Sequence, residues 1–248
     1  MSETPINYYP ILISSLNIET SFSFKLFIKY SGFFLLYKAE KSILEHKDLA
    51  RLQNNDIKYL YILKDEKILY VEYLEQRIDD IFNDESLTEI DKAEALYNSS
   101  LYYIEEVYTT IKFKEENLEH YLTITRVLIT SLLSNPEVIA ALFKIFTHSS
   151  YEYGHAVQVT VLAIILGYDQ HRLELDELSS LALSALVHDV GKVYIDKSII
   201  NKPSLLSSSE LALIKKHPAY SYQYLKEKNI IEDLVLTTVH DHHESLDG

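Results

Sequence analysis

The stretch "ELSSLALSALVHDVGK", Glu177 to Lys192, decides the architecture of its half of the chain. Its apolar residues recur at helical spacing, Asp176 just before it offers an N-cap, and Gly191 is expected to close the helix in a left-handed conformation. The helix ends on an adjacent His188 and Asp189. In regular helical geometry these point about 100° apart, so they would serve two metal ions, or one ion and a neighbouring group. Val187 and Val190 keep the surroundings apolar, and Lys192 falls beside the same pocket. The blander alternative is a His-Asp pair that only caps its helix.

Outward from this helix the punctuation continues. Asn135 and Pro136 form an N-cap and a first-turn proline ahead of "PEVIAALFKIF". A helix is expected from about Tyr151 to Leu166, followed by Gly167. The serine run Ser207 to Ser209 opens "ELALIKK", Pro218 opens "AYSYQYLKEK", and "IIEDLVLTTVHDHH" completes the series. Upstream, the polar segment "NDESLTEID" (Asn83 to Asp91) reads as a linker with Thr88 as N-cap, leading into one or two long helices that reach about Leu133.

The N-terminal part has a different period. "FSFKLFIKY" (Phe22 to Tyr30) alternates apolar and polar residues as a half-buried strand does, Gly32 offers a turn, and "FFLLYK" follows as a second strand. A helix over about Glu45 to Asn54 and a third strand, "KYLYIL" (Lys58 to Leu63), complete a small α/β module of roughly 75 residues. The expected organisation is a mainly α protein: an α/β regulatory or dimerisation module over 1–82, connecting helices over 83–134, and an all-helical bundle over 135–248.

Composition narrows the function. Five glycines and five prolines in 248 residues suit a mostly helical chain. The absence of cysteine excludes disulfides, thiolate zinc sites and cysteine nucleophiles, so any metal must be held by nitrogen and oxygen. A formal net charge of −14 repels a DNA or RNA polymer. The most apolar runs, Val157 to Leu166 and Phe33 to Tyr37, are too short to cross a bilayer, and no signal sequence precedes them, so the expectation is a cytoplasmic protein without membrane insertion. Twenty tyrosines and no tryptophan point to no particular chemistry.

Seven of the ten histidines lie between His155 and His243, a concentration that a helical bundle does not require. Four ordered blocks carry a resemblance: His155 in "YEYGHAVQVTVLA", the doublet in "HDVGK", "INKPSLLSSSELALIKKHP", and "HHESLDG" at the end. In order and spacing they resemble the HD-GYP domain of bacterial cyclic-di-GMP phosphodiesterases, within the HD hydrolase superfamily. The resemblance covers about Asn135 to Gly248. It implies metal ligation by His155, His188, Asp189, His217, His242 and His243, with Asp189 bridging two ions. Catalytic roles fall to Asp189 and to Lys192, which would face the substrate phosphate. His240 matches no ligand of the family and reads as a helix-face residue.

Imidazole and carboxylate ligands without sulfur suit iron, manganese or similar ions, and the resemblance implies two divalent ions, most often iron or manganese. The implied reaction is hydrolysis of cyclic-di-GMP to pGpG and/or GMP by a hydroxide bridging the two ions. The alternative is a catalytically inactive cyclic-di-GMP-binding or protein-interaction module that keeps the fold. Some family members hold a third metal through a glutamate at the position of Tyr151, which favours two metals here. Ala156 and the Tyr220-Ser221-Tyr222 run depart from the family pattern and read as packing changes. Because "HHESLDG" stops inside a family motif, the bundle is expected to be incomplete at Gly248. The N-terminal module loosely resembles small domains that precede some HD-GYP domains, with a homodimer or a signalling protein as the partner it would serve.

Overall fold

A computed structural model describes residues 8–18, 20–85, 87–110, 115–146, 152–228 and 232–245. The chain divides into two compact units, residues 1–96 and 97–248. The first holds strands β1 (Tyr8–Leu12), β2 (Leu26–Tyr30), β3 (Phe33–Lys38) and β4 (Tyr59–Leu63), with helices α1 (His46–Gln53), α2 (Lys67–Glu75) and α3 (Ile78–Asn83). The strands form one antiparallel sheet in the order β1-β4-β2-β3. Ser31 and Gly32, with φ of 47° and 85°, make the two-residue turn between β2 and β3, a place where glycine avoids the Cβ clash of the left-handed region.

One sheet face is the core of this unit: Ile11, Leu26, Leu60 and Ile62 are buried together with Leu52 of α1 and Leu74 of α2. The alternation read from Phe22 onward is real, since Phe22, Phe24 and Leu26 all point inward. Ladder pairing starts only at Leu26, however, and a register shift follows between Leu26 and Phe27. Phe24 is wholly buried and meets the rings of Tyr70 and Tyr73 edge-on, at 5.7 and 5.6 Å between centroids. Burial of such a ring is worth about 3 kcal/mol or more.

Helix α4 (Glu89–Thr110) carries the chain from the first unit into the second. Its start is the reciprocal cap expected at Thr88: the Thr88 amide donates to Asp91 and the Asp91 amide to the Thr88 hydroxyl. The second unit continues with α5 (Glu115–Ser134), α6 (Pro136–Phe146), α7 (Glu152–Asp169), α8 (Leu175–Val187), α9 (Lys197–Ile200), α10 (Ser208–Ile214), α11 (His217–Lys226) and α12 (Asp233–Asp241). A short 3-10 helix, Val190–Tyr194, links α8 to α9. Among the described residues no single helix is long and apolar enough to cross a membrane.

Helix α8 is the axis of this unit. Leu178, Ala182, Leu183, Leu186 and Val187 are buried, with α7, α5 and α12 packed around them. Two expectations for its neighbourhood are corrected. The N-cap is Glu174, whose amide donates to the Glu177 carboxylate as one half of a capping box, so α8 starts before Asp176. Gly167 does not follow α7 but sits inside it, where a Cβ would come within 2.9 to 3.1 Å of the Leu178, Leu181 and Leu173 side chains. It lets α7 approach α8 closely, a long-range demand that local punctuation does not reveal.

Candidate metal centre

The helix that carries His188 does not run on through Asp189. Val187 is its last residue, His188 is the C-cap, and Asp189 has left helical geometry at φ −95°, ψ 4°. The expected divergence of about 100° therefore does not hold. Instead the His188 Nε2 stands 3.1 Å from Asp189 Oδ2, and both side chains are buried. His155 reaches the same place from α7, its ring centroid 5.5 Å from that of His188. His155, His188 and Asp189 each offer a ligand atom within 4.8 Å of the others.

A second group assembles on the other side of Asp189. His217, at the first position of α11, brings Nε2 to 3.0 Å from Asp189 Oδ1, and His242, at the C-cap of α12, brings Nε2 to 4.0 Å from the same oxygen. His243 lies 5.0 Å from His217 and 4.3 Å from His242 between ring centroids. His217, His242 and His243 again present ligand atoms within 4.8 Å of one another. Asp189 thus turns one oxygen to each group.

Three of the rings are aimed by backbone. His188 Nδ1 lies 2.7 Å from the Ala185 carbonyl, His217 Nδ1 2.7 Å from that of Ile214, and His242 Nδ1 2.7 Å from that of Val239. A carbonyl only accepts, so each Nδ1 carries the proton and each Nε2 turns a lone pair toward the centre. The His217 and His242 Nε2 atoms then face each other at 3.1 Å. The buried Asp189 Oδ1 beside them accepts no hydrogen bond, close though the His217 ring is. Lone pairs converging on an unpartnered carboxylate oxygen repel unless a cation lies among them. The donor set, five imidazoles and one carboxylate, fits divalent transition-metal ions.

Electrostatics point the same way. Burial lowers the pKa of His242 to about 4, against the pull of the Val239 carbonyl. Burial, and then His188, lowers that of His155; burial, and then His217, lowers that of His243. These rings are neutral at pH 7, the state a metal ligand needs. Burial on its own would raise Asp189, but the Lys192 ammonium, 2.6 Å from Oδ2, keeps the carboxyl below its ordinary range.

Lys192 reaches back one turn of the 3-10 helix to place Nζ 2.6 Å from Asp189 Oδ2. His240 faces outward, paired with Asp241 and edge-on to Tyr222, and is not part of either group. Tyr151, the position considered for a third metal, lies outside the described residues.

Gly191 has a job that its sequence position conceals. It is not left-handed, as Gly32 alone among the described glycines has positive φ. A Cβ on Gly191 would meet the His217 carbonyl oxygen and the Ser221 amide nitrogen, each at 2.3 Å. Its amide donates to Ser221 Oγ at 2.7 Å. The Asp189 turn and the start of α11 therefore touch backbone to backbone, and Ser221, read from sequence as a packing change, is the hydroxyl that joins them.

Residues 145–248 match the family model for the HD domain. Over 120 residues, 48% of this chain and 28% of the relative, the chain is 32% identical to the cyclic di-GMP phosphodiesterase PA4108 of Pseudomonas aeruginosa. It is also 32% identical to the cyclic di-GMP phosphodiesterase PdeB of Borreliella burgdorferi, over 40% of this chain and 26% of that one. With the 3'3'-cGAMP-specific phosphodiesterase 3 of Vibrio cholerae the identity is 30%, over 45% of this chain and 24% of the relative. The matched segments span about a quarter of the length of these relatives. Among solved structures, Bd1817, a HDG"Y"P protein from Bdellovibrio bacteriovorus, superposes with a TM-score of 0.66 over 98% of this chain and 79% of that one. At 24% identity that likeness is one of fold.

Proposed function

From the premise that this chain carries an HD domain over residues 145–248, we propose that it is a metal-dependent phosphodiesterase of cyclic dinucleotides, with cyclic-di-GMP as substrate. The observation that carries the reading is Asp189, one oxygen toward His155 and His188 and the other toward His217, His242 and His243. His155 and His188 would hold one ion, the three later histidines a second, and Asp189 would serve both. Two divalent ions in that position supply Lewis acidity toward phosphoryl oxygens and a water acidic enough to ionise at neutral pH.

The chain's own residues do the rest. The backbone carbonyls of Ala185, Ile214 and Val239 keep three imidazoles in one tautomer and one orientation, so no reorganisation is needed when charge develops. Lys192, held by Asp189, keeps a positive charge beside the phosphodiester as its oxygens become more negative. Hydrolysis adds water across one P–O bond and opens the ring to a linear dinucleotide with a terminal phosphate. A second hydrolysis would give mononucleotides. The cGAMP-specific relative makes 3'3'-cGAMP the alternative substrate.

The test is turnover by the protein loaded anaerobically with ferrous iron or manganese. Linear product from cyclic-di-GMP is expected, from 3'3'-cGAMP more slowly, and from Asp189→Ala not at all. A metal-loaded protein that binds either dinucleotide without cleaving it would overturn the enzymatic reading in favour of a binding module.

A further inference from the structure

Between Val190 and Lys228 the chain carries seven lysines against three carboxylates, in a protein whose formal net charge is −14. This segment is the 3-10 helix, α9, α10 and α11, and it frames the metal centre, since Lys192 lies on Asp189 and α11 begins with His217. Four of the lysines are engaged. Lys192 pairs with Asp189, Lys202 with Glu210 at 2.7 Å, Lys226 donates to the Tyr222 hydroxyl, and Lys228 lies over the Tyr224 ring. Lys197, Lys215 and Lys216 have no ion-pair partner among the described residues, and all three are exposed.

Lys215 and Lys216 adjoin the site. They occupy the turn between α10 and α11, which is held by the Lys216 amide donating to the Leu213 carbonyl at 3.1 Å and by the His217 ring on the Ile214 carbonyl. We propose that Lys215 and Lys216 form a basic lip that draws a dianionic cyclic dinucleotide to the metal centre through an otherwise repulsive field. The inference rests on the phosphodiesterase reading above. The lip acts by attraction at a distance, not by touching the reacting phosphate.

The reach is right for such a role. With consecutive Cα atoms about 3.8 Å apart, the two ammonium groups stand on the order of 10 Å from the His217 ring, near one Debye length at 0.1 M salt. Each ammonium–phosphate pair at that distance in water is worth about a factor of two, so two lysines and two phosphates give roughly tenfold at low salt.

Steady-state kinetics of the metal-loaded protein at low and high ionic strength test the lip. In Lys215→Gln/Lys216→Gln, KM for cyclic-di-GMP is expected to rise about tenfold at about 0.01 M salt, with kcat within twofold, and the gap should close at about 1 M. Lys226→Gln/Lys228→Gln removes the same charge about 15 Å further along α11 and is expected to change KM less than twofold. Wild-type turnover with an unchanged Lys215/Lys216 variant overturns the lip alone, as does an equal effect of the two double variants. A wild type that turns over no cyclic dinucleotide overturns the phosphodiesterase reading itself.

Discussion

Replacing Gly191 by alanine should damage the metal centre from a residue that bears no ligand atom. The new Cβ would lie 2.3 Å from the His217 carbonyl oxygen, 2.3 Å from the Ser221 amide nitrogen and 2.7 Å from Ser221 Oγ. Ordinary contacts begin near 3.4 Å, so the two backbones must part by about 1 Å. Both are anchored, one by the buried Asp189 turn and the other by the α11 core residues Tyr224 and Leu225. Overpacking of this kind costs about 1–3 kcal/mol, and loss of the Gly191–Ser221 hydrogen bond about 1 more. For a protein of this length the sum lowers Tm by roughly 5–15 °C. The same movement takes His217 away from Asp189, from a starting separation of 3.0 Å. Metal per chain should therefore fall, the ion served by His217, His242 and His243 being lost first. Ser221→Ala provides the contrast, because it removes the hydrogen bond without the steric push and should lower Tm while keeping full metal content. Elemental analysis after dialysis and a thermal melt read both variants. A Gly191→Ala protein that melts within 2 °C of wild type and binds metal normally would show that the close approach is not a constraint.

Gly167→Ala makes an instructive opposite. Its Cβ meets only the ends of three leucine side chains, at 2.9 to 3.1 Å, and these can swing aside, while helix propensity gains about 1 kcal/mol; urea unfolding should stay within about 1 kcal/mol of wild type. Phe24→Ala empties a fully buried position in the first unit and should cost about 3–5 kcal/mol, a loss under 1 in the same assay contradicting the core assignment. Acid should weaken the metal-free protein. The His242 pKa is about 4 in the folded chain against an ordinary 6.5, so between those values the unfolded chain binds more protons and stability falls as pH falls. The shift corresponds to about 3 kcal/mol at most, and solvent around the half-buried ring reduces this to on the order of 1–2. Chelator-treated protein unfolded in urea at several pH values between 7 and 4 should show that slope, and His242→Gln should flatten it.

Much of the fold was legible because its signals are local. The caps at Thr88, Asn135 and Ser207 each involve residues within three positions, and each sits where the spacing predicted. Strand β1 escaped notice because it is held by pairing with β4, about fifty residues away, and carries Pro10 in its middle. The two misread glycines share one cause: Gly167 and Gly191 lie against neighbours distant along the chain, loosely at Gly167 and backbone to backbone at Gly191, whereas a reading along the chain assigns glycine to helix ends by default. For the candidate site, the order of the blocks brought six residues into consideration, and the structure groups them around Asp189. What sequence could not supply was the direction of Asp189, which depends on α8 ending at Val187, before the His-Asp doublet that its pattern includes in the helix. Nor could it supply the link from Ser221 to Gly191, formed across thirty positions.

The three carbonyls that seat His188, His217 and His242 belong to Ala185, Ile214 and Val239, residues with nothing in common but their distance from the ring. Every amino acid brings the same carbonyl, so substitution at these positions leaves the acceptor in place and is limited only by packing. The last turn of a helix has carbonyls to spare, which makes them available without any dedicated side chain. The centre is thus tolerant of point substitution where its rings are anchored and intolerant of length change there: a single-residue deletion between Ala185 and His188 would leave every ligand present and misdirect one of them.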